Sequence, residues 1–138
     1  MMTPLRLVDE LNRLVEALTL ENFDLKNAMT ENPELRMPVI THANQNYCLL
    51  VKLKGYPLNM PSLAVIGELR KRDGSPMGIS GSMHCLGYDN GNTLICYGNT
   101  WRPDTHLIDL YYKGKLWLEC YDAHLKSGHT IDYYLKHA

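Results

Sequence analysis

The sequence predicts an α+β domain, and three observations carry that expectation. Apolar residues recur every three or four positions near both ends of the chain, the spacing of a helix face. In the middle they alternate, the spacing of a strand. Between the alternating runs and the second helical pattern lies a glycine-rich stretch with no sustained period.

The first helix is predicted from its start signal. Thr3 suits the cap and Pro4 the first turn, where its missing N–H is no loss. Leu7, Leu11, Leu14 and Leu18 then form a stripe that Val8 and Val15 widen. From about Glu21 to Val65 the pattern changes, with Asn, Pro, Glu and Asp as punctuation. Tyr47, Leu49, Val51 and Leu53 fall on one face of a strand, with Lys52 and Lys54 on the other. Residues 37–41 and 63–69 read as two more strands. Pro57 and Pro61 forbid a helix between strands and force a rigid, extended turn. The middle is therefore an antiparallel meander.

Residues 74–98 hold six of the ten glycines and carry His84, Cys85 and Cys96. A long stretch without secondary structure in a small domain is usually functional or disordered, and the His and Cys residues it carries favour an active-site loop here. Helical spacing returns after Trp101-Arg102-Pro103. Asp104 is the expected cap for a helix with a stripe of Leu107, Leu110, Tyr111, Trp117, Leu118, Tyr121 and Leu125. Ser127-Gly128 ends it, and Thr130 caps a last short helix with Ile131, Tyr134 and Leu135 facing inward.

Length and composition bound the function. The chain of 138 residues fits one domain, 1–138, and 45% apolar content supplies a core. Fourteen basic against fifteen acidic residues leave a net charge of -1, without the basic surplus of a nucleic-acid binder. No apolar run approaches the ~20 residues of a membrane span, and the N-terminus lacks the apolar stretch of a signal peptide. A cytoplasmic protein with no nucleic-acid and no membrane partner is expected. Its four cysteines, at 48, 85, 96 and 120, are then reduced thiols.

The order of elements and motifs resembles the ubiquitin-conjugating (UBC, E2-like) fold: a helix, a four-stranded antiparallel meander, a long active-site loop and C-terminal helices. Tyr56-Pro57-Leu58-Asn59-Met60-Pro61 is similar to that family's Tyr-Pro-Phe-x-x-Pro turn. Asn90-Gly91-Asn92-Thr93-Leu94-Ile95-Cys96 resembles the Asn-Gly run that ends at the catalytic cysteine, and Trp101-Arg102-Pro103 the Trp-Ser-Pro before the crossing helix. The family's His-Pro-Asn is reduced to His84, twelve residues before Cys96 and followed by Cys85-Leu86, so its oxyanion asparagine is missing from the usual place. The C-terminal part is more similar to bacterial E2-like proteins found beside antiphage (CBASS-like) signalling genes. The resemblance implies a transferase with Cys96 as thioester nucleophile. It also implies an E1-like activating enzyme, a ubiquitin-like modifier or cGAS-like nucleotidyltransferase, and a target lysine as partners. The alternative is a non-catalytic E2-like scaffold, or an adaptor that binds the nucleotidyltransferase without chemistry.

The chemistry itself asks for little. A thiolate is both a strong nucleophile and a good leaving group, and passing an acyl group between thioesters needs no cofactor and no metal. A donor for the developing oxyanion is needed, worth ~2.7–4 kcal/mol in the barrier. Asn92 or Asn99 is the candidate donor, although Asn90, Asn92 and Asn99 also suit turn geometry. Thr93-Leu94-Ile95 would anchor Cys96 while Gly98 leaves room for a peptide tail. Cys85 is the rival nucleophile, while Cys48 and Cys120 read as packing. His84 is expected to brace the loop rather than act as a base, and Trp101 to pack beneath it. A zinc site from His84, Cys85, Cys96 and His106 lacks paired-ligand spacing. A cysteine hydrolase would need His124 or His129, both in packing positions. No lysine lies between Asp73 and Tyr112, so the acceptor amine is expected on a partner rather than nearby.

Overall fold

The computed structural model describes residues 2–18 and 23–136; the change of pattern expected at Glu21 lies outside them. The protein is α+β. Helix α1 (Pro4–Leu18) opens the chain, followed by seven strands: β1 (Asp24–Lys26), β2 (Glu34–Ile40), β3 (Asn46–Lys52), β4 (Ser62–Val65), β5 (Ile79–Ser80), β6 (Cys85–Asp89) and β7 (Asn92–Ile95). Helices α2 (Leu107–Ser127) and α3 (Ile131–Tyr134) close it. The strands form one antiparallel sheet in the order β1-β2-β3-β4-β7-β6-β5.

Among the described residues the sheet therefore has seven strands where four were expected, and 74–98 is not a structureless loop. Asn90 and Gly91 both take positive φ, 50° and 77°, between the paired residues Asp89 and Asn92. That is a two-residue hairpin turn, whose left-handed backbone matches the twist of the flanking strands. The Asn-Gly signal was in the sequence. The strands it joins are too short, and too interrupted by glycine, to show alternation.

Helix starts follow local chemistry with one exception. The Thr3 hydroxyl accepts the Arg6 N–H at 3.2 Å, and Thr130 caps α3 by accepting the Tyr133 N–H at 3.2 Å. Asp104, the expected cap of α2, instead pairs with Arg102 at 3.2 Å in solvent. The helix begins at Leu107, too late for Asp104 to reach its free amides, and Asp109 takes the His106 N–H at 3.0 Å.

Three stripes are also narrower than predicted. Val8 and Val15 are exposed, as are Leu125 and Tyr134. The buried positions of α1 are Glu10 and Leu14, with Leu7, Leu11 and Leu18 packed at the margin. The core joins Leu14 to Met37 of β2, Leu49 and Val51 of β3, Leu63 and Val65 of β4, and Trp117 and Leu118 of α2. Helix α2 comes so close to the sheet that a Cβ on Gly114 would lie 2.5 Å from Leu49 Cδ1. Among the described residues, no helix is long and apolar enough to cross a membrane.

Candidate active site around Cys96

Cys96 follows directly on β7. Its N–H donates to the His84 carbonyl at 2.8 Å, extending the β6–β7 ladder in which Cys85 faces Ile95. The eleven residues that separate His84 from Cys96 thus close into a hairpin, and the two become cross-strand neighbours. His84 itself sits at φ 46° and is buried.

The segment after Cys96 is tied down as well. The Tyr97 hydroxyl donates to the Pro61 carbonyl, and Trp101 Nε1 donates to the Pro57 carbonyl at 2.8 Å. Trp101 also meets Tyr56 edge to face. The proline turn at 56–61 is therefore the anvil against which 97–101 is held, and Trp101 packs as expected. Cys96 is fastened on both sides through backbone and neighbours, while its own sulfur makes no hydrogen bond among the described residues.

That sulfur's residue lines a cleft of about 250 Å³. Trp117 and Ile95 are buried walls, His84 and Tyr97 flank the cysteine, and Leu116, Leu135, Lys113 and Lys136 complete the rim. Trp117 is only 1% exposed and fixes the loop from below by donating Nε1–H to the Met83 carbonyl at 3.0 Å. Among the described residues the charged side chains that line the cleft are Lys113 and Lys136, and the nearest carboxylate the structure shows at its wall, Asp132, is bonded to His84. The volume falls just under the ~300–1,000 Å³ typical of sites that enclose whole small molecules. It suits the end of a chain. A Cβ on Gly98 would meet nothing within 4 Å, which matches the room expected there.

His84 is braced from the far end of the molecule. Its Nε2 lies 2.8 Å from Asp132 Oδ1, and the Asp132 N–H donates to the Ser82 carbonyl at 2.8 Å. Helix α3 is thereby latched onto the turn that precedes Cys85. The bond to a carboxylate sets the ring proton on Nε2, which orients the imidazole in the cleft wall. Asp132 was not among the residues singled out from the sequence. Nothing local marks an aspartate 48 positions downstream as a partner of His84.

The other sequence candidates fall elsewhere. Cys85 is 1% exposed, its sulfur bonded to the Gly87 backbone, and burial pushes its thiol pKa up. Burial does the same to Cys48 and Cys120. Asn92 accepts the Gly67 N–H at 3.1 Å and so helps tie β7 to the end of β4. It stands four residues along the strand from Cys96, ~13 Å at strand rise. Asn99 is exposed on the loop after Cys96 and accepts a bond from Thr100 at 3.3 Å. His124 uses both ring nitrogens, accepting from the Arg72 N–H at 3.0 Å and donating to the His129 carbonyl at 2.8 Å. His129 stacks on Tyr133, with ring centroids 4.1 Å apart. Neither lines the Cys96 cleft.

His106, the remaining member of the imagined zinc set, bonds Glu10 Oε2 at 2.8 Å. Asp9, Glu10 and His106 are the one group of three potential metal ligands that converge among the described residues. Arg13 bonds Asp9 at 2.9 Å and lies 3.9 Å from Glu10, so a guanidinium already supplies the positive charge a metal would bring. The cluster is an ion-pair network.

No family model, curated protein or solved structure matches this chain.

Proposed function

We propose that this chain is an E2-like acyl carrier in which Cys96 takes up a C-terminal carbonyl as a thioester and passes it to an amine. The observation that carries the reading is the contrast among four thiols. Cys96 lines an open cleft beside a histidine, whereas none of the other three lines it and Cys85 and Cys120 are buried. The seven-stranded sheet framed by an N-terminal helix and C-terminal helices is compatible with a UBC-like domain carrying extra edge strands. On this reading His84 is a positioning residue and Asn99, exposed three residues after Cys96, is preferred as oxyanion donor over Asn92, which is bonded to the Gly67 N–H. The donor of the acyl group is a ubiquitin-like modifier or the tail of a cGAS-like nucleotidyltransferase, activated by an E1-like enzyme, in a bacterial antiphage setting.

The test uses a matched E1-like enzyme and its modifier. With ATP, the protein should acquire an adduct on a non-reducing gel that thiol reagents remove. Cys96→Ala should abolish it and Cys85→Ala should not. No adduct at all favours the non-catalytic scaffold, whereas one that survives Cys96→Ala and is lost in Cys85→Ala moves the thioester to Cys85.

A further inference from the structure

The lysine-free window from Asp73 to Tyr112 suggests that the acceptor amine must come from another molecule. Folding removes that constraint. Lys113, at the first residue past the window, and Lys136, at the end of the described chain, both line the Cys96 cleft. They arrive from α2 and from the segment after α3. Lys52 and Lys115, by contrast, are engaged by Asp89 at 3.1 Å and Glu119 at 2.8 Å. Among the described residues neither the Lys113 nor the Lys136 side chain makes a hydrogen bond or ion pair. Each carries a primary amine on a residue that lines the same cleft as Cys96.

We infer that the cleft contains its own acyl acceptor, so that a thioester on Cys96 passes to Nζ of Lys113 or Lys136 of the same chain. The inference rests on the acyl-carrier reading above. In the step, the unprotonated amine attacks the thioester carbonyl, a C–N bond forms, and the C–S bond breaks. The proton lost by nitrogen ends on the departing sulfur, regenerating the Cys96 thiol and leaving an amide. Nothing is oxidised or reduced. The transfer is favourable because an amide is more stable than a thioester, and it is fast because both groups share one cleft and no encounter is required. Helix α3 contributes through its latch: Asp132 holds His84 and keeps the segment that carries Lys136 beside the cysteine.

The experiment loads the full chain without an activating enzyme, using an acetylated tetrapeptide that ends in Gly-Gly, supplied as its mercaptoethanesulfonate thioester. Intact-mass spectra are followed over time, with and without hydroxylamine, which cleaves thioesters and spares amides. A hydroxylamine-labile adduct on Cys96 should appear first, and a resistant adduct should grow as it decays. Peptide mapping should place the resistant adduct on Lys113 or Lys136. The ratio of resistant to labile adduct should fall about tenfold or more in the Lys113→Arg/Lys136→Arg double variant, which keeps both charges and removes both amines. A Cys96 thioester that never yields an amide overturns the inference and leaves the carrier reading standing. So does a resistant adduct that forms equally fast in Cys96→Ala, since that is direct aminolysis. Failure to form any thioester on Cys96 overturns the carrier reading itself.

Discussion

Glu10 shows how much one residue can hold. It is completely buried, yet each of its oxygens is used: the Tyr56 hydroxyl donates at 2.8 Å, the Leu107 N–H at 2.9 Å, and His106 Nδ1 lies at 2.8 Å. The carboxylate joins α1, the proline turn and the first turn of α2, where the exposed amides favour negative charge. Glu10→Leu should cost about 3–5 kcal/mol in urea unfolding, because three groups lose an acceptor they cannot replace. A loss under 1 kcal/mol would show that water satisfies them. Trp117 invites a finer test. Trp117→Phe keeps most of the ring but removes the bond to the Met83 carbonyl, and it should cost about 1–3 kcal/mol in the same assay. Glu10 was legible in principle, since it stands three residues after Leu7 and four before Leu14, on the apolar face. A charged residue in that position signals a buried partner without naming it.

At the scale of elements, the contact of α2 with β3 decides how close the helix sits. Gly114 lowers helix propensity by ~1 kcal/mol relative to alanine, so Gly114→Ala would stabilise an isolated helix. Here the new methyl would press into the Leu49 side chain, and the net effect should be a loss of about 1–3 kcal/mol. In a Leu49→Ala background the sign should reverse, which a double-mutant cycle measures directly. If Gly114→Ala stabilises the natural protein, the close approach is not what keeps glycine there. The elements themselves divide by length. α1, β2 and β3 are long enough to show their periods, and their existence was readable. β5 to β7 are two to five residues each, and pairing rather than pattern makes them strands.

For the whole molecule, charge couples stability to pH at both extremes. Glu119 ties α2 to the turn after β2. Burial acts to raise its pKa, but hydrogen bonds from Lys115 and from the His42 side chain and backbone outweigh that and hold it at about 2, below the ordinary 4.5. A depressed carboxylate stabilises the fold above its unfolded pKa, and the contribution disappears as pH falls from 4.5 towards 2. Glu119→Gln should therefore unfold more easily at neutral pH and show a flatter decline across that acid window, read by thermal melts. At the other end, burial first, then hydrogen bonds to Asp122 and Glu10, push Tyr47 and Tyr56 above the usual 10, and burial alone does so for Tyr97. A raised pKa stabilises below the unfolded value, so this contribution is lost as pH rises past 10. By itself the sequence determined the class, the long elements and their caps at Thr3, Gly128 and Thr130, because propensity, periodicity and capping act over a few neighbouring residues. Only the tertiary structure decided what surrounds Cys96. His84 reaches it through a hairpin, Asp132 braces His84 from 48 residues away, and two lysines converge from separate segments. Such contacts depend on where distant segments are brought to lie, and no local pattern encodes that.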